Sequence, residues 1–172
     1  MARNVEIKAR VHDLGATRAK AAALASRPGE ILQQTDTFFA VPAGRLKVRE
    51  LADGSGELIA YERPNLPGPK ESSYSRFTCT NARALTLTLS RVLPTRGTVV
   101  KQREVFMIGR TRVHLDHVEG LGFFVELEVV LAADETVEDG TRVAQDLLDA
   151  LDIPQAALVA EAYIDLLETA RV

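Results

Sequence analysis

Five stretches of this chain alternate charged with aliphatic residues at a period of two, the spacing that separates the two faces of a β-strand. In the first, Asn4, Glu6, Lys8 and Arg10 share one side, and Val5, Ile7, Ala9 and Val11 share the other. Arg45, Lys47 and Arg49 alternate against Leu46 and Val48, and Lys101 and Arg103 share a face between Val99 and Met107. Arg110, Arg112, His114 and Asp116 alternate against Thr111, Val113 and Leu115. Glu126 and Glu128 do so against Val125, Leu127 and Val129. Two architectures accept such a pattern. The charged sides are the wet outer faces of a sandwich, or they point into the interior of a sheet curled upon itself.

Two features favour the curled sheet. The helical segments carry apolar stripes, such as Leu147, Leu148 and Leu151, or Leu158, Ile164 and Leu167, and these need an apolar sheet face to cover. If the aliphatic strand faces meet the helices, the charged faces are left on the inside. The signs are also segregated, with bases at 45, 47, 49, 101 and 103 and acids at 126 and 128. Like charges on neighbouring strands repel unless something bridges them. A barrel lined this way is a wet tunnel whose acids suit a divalent cation and whose bases suit a polyanion such as a nucleoside triphosphate or polyphosphate.

The order of elements agrees. Strands are expected at about 3–11, 34–41, 45–51, 57–63, 70–78, 98–108, 110–117 and 122–131. Helices are expected near 14–26 (capped by Asp13), 82–93 (capped by Asn81), 138–151 and 155–170. Short turns at Asp53-Gly54, Gly109 and Gly120 join the strands in runs, which predicts antiparallel pairing. The fold class expected is α+β, an eight-stranded antiparallel β-barrel with flanking helices, as a single domain over 1–172.

Composition narrows the function. A balance of 21 basic and 24 acidic residues, net charge −3, gives no basic excess, so no nucleic-acid partner is expected. The lone Cys79 excludes an intrachain disulfide. No apolar run approaches bilayer length, and Arg3, Glu6 and Lys8 occupy the place of a signal peptide's apolar core. A cytoplasmic protein with no membrane partner is the expectation. With only three histidines, oxygen ligands and hence magnesium, manganese or calcium are expected for any ion. No P-loop, dinucleotide-binding glycine motif or Ser-His-Asp order is present.

Asn-Val-Glu-Ile-Lys at 4–8 resembles the N-terminal Glu-x-Glu-x-Lys signature of the CYTH, or triphosphate tunnel metalloenzyme, superfamily. Arg45-x-Lys47-x-Arg49, Lys101-x-Arg103, His114-Leu115-Asp116 and Glu126-Leu127-Glu128 are similar to its later motifs in order and spacing. The resemblance spans roughly 3–130, with the closing helices also in place. It implies a divalent metal, Mg2+ or Mn2+, held by Glu6, Glu126 and Glu128 with Asp116. It further implies phosphate binding by Lys8, Arg45, Lys47, Arg49, Lys101, Arg103 and Arg112, and a catalytic role for Glu6, Lys8, Lys101 and Arg103. Arg10, at the strand's end, is expected to be solvated. One departure stands out: the first glutamate of the signature is Asn4 here, which removes a negative charge from the acidic set.

Tyr61-Glu62-Arg63-Pro64 through Gly68-Pro69-Lys70-Glu71-Ser72 looks like bacterial class IV adenylyl cyclase-like sequences. That branch implies conversion of ATP to cyclic AMP and pyrophosphate. The alternatives are a triphosphatase acting on inorganic, thiamine or nucleoside triphosphate, and a non-catalytic polyphosphate or nucleotide binder. The partner expected is thus a small triphosphate, with a homodimer allowed. Tyr61, Arg63, Lys70, Tyr74 and Arg76 are further candidates for the tunnel face, and His114 is a candidate proton carrier. One member each of Phe38-Phe39 and Phe123-Phe124 is a candidate to point inward.

Overall fold

The computed structural model describes residues 2–66 and 68–170; Pro67 of the expected loop lies outside them. Eight antiparallel strands close into a barrel. They are β1 (Ala2–Arg10), β2 (Glu30–Phe39), β3 (Arg45–Leu51), β4 (Gly56–Glu62), β5 (Lys70–Cys79), β6 (Thr95–Ile108), β7 (Thr111–Val118) and β8 (Gly122–Val130). Around the barrel their order is β1-β5-β4-β3-β2-β6-β7-β8, and β1 closes the ring by pairing with both β5 and β8. Two meanders, β2 to β5 and β6 to β8, are therefore stitched together by β1 and by the β2–β6 ladder.

Helices α1 (Leu14–Leu24), α2 (Ala82–Leu89), α3 (Val137–Ala150) and α4 (Tyr163–Ala170) complete the fold. Asp13 and Asn81 cap α1 and α2 as expected, each accepting from a backbone N–H three residues on at 2.9 Å. The helix expected over 155–170 is broken. A 3₁₀ turn at Gln155–Ala157 is followed by extended chain before α4. The cause is tertiary: Leu158 bridges Ala9, and the Val159 N–H donates to the Lys8 carbonyl at 2.8 Å. Backbone groups that an α-helix would use internally are spent on β1.

The aliphatic strand faces look outward and carry the core. Val5, Ile7, Val113, Leu115, Leu127 and Val129 pack with Ala144, Leu148 and Leu151 of α3 and its C-terminal end and with Ala21 of α1. Phe39 and Val48 pack under Ala82 of α2. A third cluster lies at one end of the barrel, where Phe38, Val99, Val118 and Phe124 meet Ala162, Tyr163 and Ile164. The phenylalanine pairs split accordingly. Phe38 and Phe124 join the cluster at the barrel end, Phe39 goes to the α2 side, and Phe123 is exposed beside His117. No helix among the described residues is long and apolar enough to cross a membrane.

Candidate active site

With the aliphatic faces turned to the helices, the alternate residues of every strand converge inside the barrel. They line a cavity of about 430 Å³. β1 contributes Asn4, Glu6 and Lys8, and its ladder with β8 sets Glu6 beside Glu128 and Lys8 beside Glu126. The β7–β8 ladder then sets Arg112 beside Glu128 and His114 beside Glu126. One wall therefore carries three glutamates on two adjacent strands, β1 and β8, with Arg112 and His114 of β7 beside them.

The three glutamates differ in how they are held. Glu128 accepts from Arg112 Nε at 2.8 Å. Glu126 has only long ion pairs, 3.8 Å to Lys8 Nζ and 3.7 Å to Arg103 Nη2, and accepts no hydrogen bond from any described residue. Glu6 meets Arg63 Nη1 at 3.4 Å. Burial, and then the neighbouring Glu128 and Glu126, push the Glu6 carboxyl above its ordinary pKa. Burial alone would raise Glu126 too, but Lys8, Arg103 and His114 overrule it and hold it well below the carboxylate range.

A nitrogen of His114 and one oxygen each of Glu126 and Glu128 lie within 4.8 Å of one another. His114 is 4 % exposed, and burial followed by the nearby Arg103 lowers its pKa to about 4. The ring is therefore neutral near pH 7.

The opposite wall is basic and is organised around an aspartate. Asp36 of β2 accepts from Lys47 Nζ at 2.7 Å, from Arg49 Nε and Nη2 at 2.8 Å each, and from Lys101 Nζ at 3.1 Å. Desolvation would raise its pKa, but Arg49, Lys101 and Lys47 hold it well below the usual range. Desolvation lowers Lys101 to about 7 and Lys8 to about 8. Sequence reasoning missed Asp36. The only signal was its period-two spacing with Gln34 and Phe38, the sole charge in that run.

Arg63 reaches in from the end of β4. Its side chain is 4 % exposed, and Nε and Nη2 donate to nothing among the described residues. Tyr61, Tyr74 and Arg76 also line the cavity. Lys70 is buried beside it, giving its protons to the carbonyls of Leu66 and Ala160 at 2.8 and 3.2 Å.

Two expected residues stand elsewhere. Arg45 is not on the cavity lining; it donates to Asn65 Oδ1 at 2.7 Å and Asp165 Oδ2 at 3.0 Å near the α4 end. Asp116 faces inward but is sealed, at 0 % exposure. It accepts from Arg103 Nε and Nη2 at 2.7 and 2.6 Å and from the Tyr163 hydroxyl at 2.8 Å. Both of its oxygens are thus engaged, so it orients Arg103 instead of facing the cavity. Arg10 is exposed as expected, its guanidinium donating to the Leu121 carbonyl at 2.7 Å.

The segment before α4 closes one end of the tunnel. Lys8 Nζ donates to the Glu161 carbonyl at 3.1 Å and sits 4.0 Å from the centre of the Tyr163 ring. Tyr163, absent from the sequence-based expectations, thus touches Asp116 with its hydroxyl and Lys8 with its ring face.

Comparison with known proteins agrees with this geometry. Adenylate cyclase CyaB of Aeromonas hydrophila is 29% identical over 175 residues, covering 95% of this chain and 88% of that protein. PH1012 of Pyrococcus horikoshii has the same fold, with a TM-score of 0.83 at 23% identity over 95% of this chain and 98% of the other. HpAC1 of Hippeastrum, described as having a dominant triphosphatase activity, matches with a TM-score of 0.66 at 16% identity, covering 98% of this chain and 97% of the other. The CYTH domain family model matches residues 2–163. A charged eight-stranded tunnel, with the motifs of its strands in register, is thus joined by a family match over nearly the whole chain: this protein belongs to the CYTH domain family.

Proposed function

We propose that the tunnel grips a nucleoside triphosphate and converts ATP to cyclic AMP and pyrophosphate with the help of a divalent cation. The observation that carries this reading is the pair of opposed walls in one cavity: Glu6, Glu126 and Glu128 on one, Lys47, Arg49 and Lys101 on the other. The similarity to an adenylate cyclase over 95% of the chain supports the choice of reaction.

Lys8, Lys47, Arg49, Lys101, Arg103 and Arg112 hold phosphate oxygens, and Arg63 joins them because it has unused donors facing the cavity. Arg45 acts at the α4 end and Asp116 through Arg103. The donor set fits a divalent ion. Glu126 and Glu128 offer oxygens close enough to share one, and Glu126 has no hydrogen bond among the described residues to give up. Glu126 and Glu128 would hold Mg2+ or Mn2+, which would supply neutralisation of phosphate charge beside the acidic wall.

In the cyclase reaction the ribose 3′-oxygen bonds to the α-phosphorus, the bond to the β-phosphate oxygen breaks, and pyrophosphate leaves. Glu6, with its raised proton affinity, takes the hydroxyl proton. Lys101 and Arg103 stabilise charge on the leaving pyrophosphate.

Hydrolysis of a triphosphate by water is the second reading. It is favoured by the triphosphatase activity ascribed to HpAC1, a protein of the same fold. Both reactions use the same grip and differ in which phosphorus meets the nucleophile. The test is incubation with ATP, thiamine triphosphate or inorganic triphosphate, with Mg2+ or Mn2+, and chromatographic separation of products. Equal amounts of cyclic AMP and pyrophosphate are expected from ATP, lost in Glu126→Gln. Release of phosphate supports the hydrolase, and a melting-temperature rise without product leaves a binder.

A further inference from the structure

His114 is a buried side chain without a function in the scheme above. It lies directly across the β7–β8 ladder from Glu126 and diagonally from Glu128. Its Nδ1 is buried without a hydrogen-bond partner among the described residues. Its Nε2 stands 4.0 Å from Glu128 Oε2, beyond hydrogen-bonding reach. A buried imidazole ordinarily finds a partner for at least one nitrogen. Here it is instead aimed into a group whose three candidate ligand atoms lie within 4.8 Å of one another. Metal–ligand bonds of about 2.0–2.2 Å let one ion reach three atoms so spaced after small side-chain shifts.

Asn4 points the same way. It stands where its relatives' signature has a glutamate, it is 1 % exposed, and its Oδ1 has no partner among the described residues. The amide lowers the negative charge available to a hard ion such as magnesium, which is held chiefly by carboxylates and water. An imidazole adds a softer donor, which suits zinc, iron, nickel or copper, and mixed nitrogen–oxygen sites gain affinity along the first-row series that begins at manganese.

We propose that His114 is a metal ligand, so that His114, Glu126 and Glu128 form a mixed nitrogen–oxygen site that takes a transition ion in preference to magnesium. The inference rests on the reading of the acidic wall as a metal site and adds to it the nitrogen and the ion class. Asn4 is a neutral oxygen donor of the same cavity.

Mn2+ bound to the metal-stripped protein, with inorganic triphosphate present and absent, is examined by pulsed electron paramagnetic resonance. The expected result is a 14N coupling that changes to 15N when the protein is made with 15N-labelled histidine, and that is absent in His114→Leu. The two other histidines, His12 and His117, are exposed and lie off the cavity lining, so a chain carrying His12→Gln and His117→Gln keeps His114 as its one histidine and lets the label report on it even if His114→Leu fails to fold. Mn2+ should also bind at a concentration at least tenfold below Mg2+ in competition. Bound Mn2+ without nitrogen coupling, or equal preference for Mg2+, overturns the proposal and leaves the triphosphate tunnel standing. Absence of any Mn2+ binding, with triphosphate or without it, overturns both.

Discussion

At the scale of single residues, Asp36 has the largest electrostatic burden in the barrel. It is 1 % exposed and satisfies Lys47, Arg49 and Lys101, three cations that the proposed function needs for phosphate. Removing one charge from a buried ionic group strands its partners, at a cost of ~3–5 kcal/mol. Asp36→Asn should therefore lose about that much stability in urea denaturation. Inorganic triphosphate should raise its melting temperature by more than it raises that of the unaltered protein, because the anion substitutes for the missing carboxylate. The motif bases were legible from their strict alternation. Asp36 was not, because an isolated acid among the polar and aromatic residues of 34–39 has no periodic signal, and its role exists only once β2 lies between β3 and β6.

At the scale of elements, the strand faces were readable and the last helix was not. Alternation fixes which side chains share a face, whereas 155–170 has apolar spacing that suits a helix yet lies where its backbone can pair with β1. The result brings Tyr163 over Lys8 and against Asp116. Tyr163→Phe should keep the ring contact, lose the hydrogen bond to a buried carboxylate, and destabilise by ~2 kcal/mol in chemical denaturation. Gly56 tests the barrel side of the α2 contact. A Cβ there would lie 1.9 Å from the Arg49 carbonyl oxygen and 2.7 Å from the Ala82 Cβ. Neither atom is the end of a flexible side chain, so β3, β4 and α2 must separate. Gly56→Ala should lower stability by at least ~2 kcal/mol in the same assay.

At the scale of the whole molecule, a tunnel of cations without their anion should shape stability with pH. Burial first, together with neighbouring cations, lowers Lys101 to about 7 and both Lys8 and Lys70 to about 8, against 10.5 for an ordinary lysine. Between those values and 10.5 the unfolded chain binds protons that the folded chain has released, so stability rises with pH. Near pH 10 a smaller opposing effect sets in. Burial raises Tyr163 well above 10, so its phenol ionises in the unfolded chain first and favours unfolding. Thermal melts from pH 7 to 10 should therefore show rising stability for the free protein. Saturating triphosphate should flatten that rise by keeping the lysines protonated.

The amino-acid sequence by itself determined the barrel's inside and outside, because side-chain alternation is a local property of a strand. It also carried the motif order that marks the family. Only the tertiary structure decided which charges meet. Pairing of strands distant in sequence set Asp36 among the bases, sealed Asp116 under Arg103 and Tyr163, and left His114 Nδ1 without a partner among the described residues, beside Glu126 and Glu128. Those contacts depend on ladder register and on how the chain end closes the tunnel, and neither is encoded within any one segment.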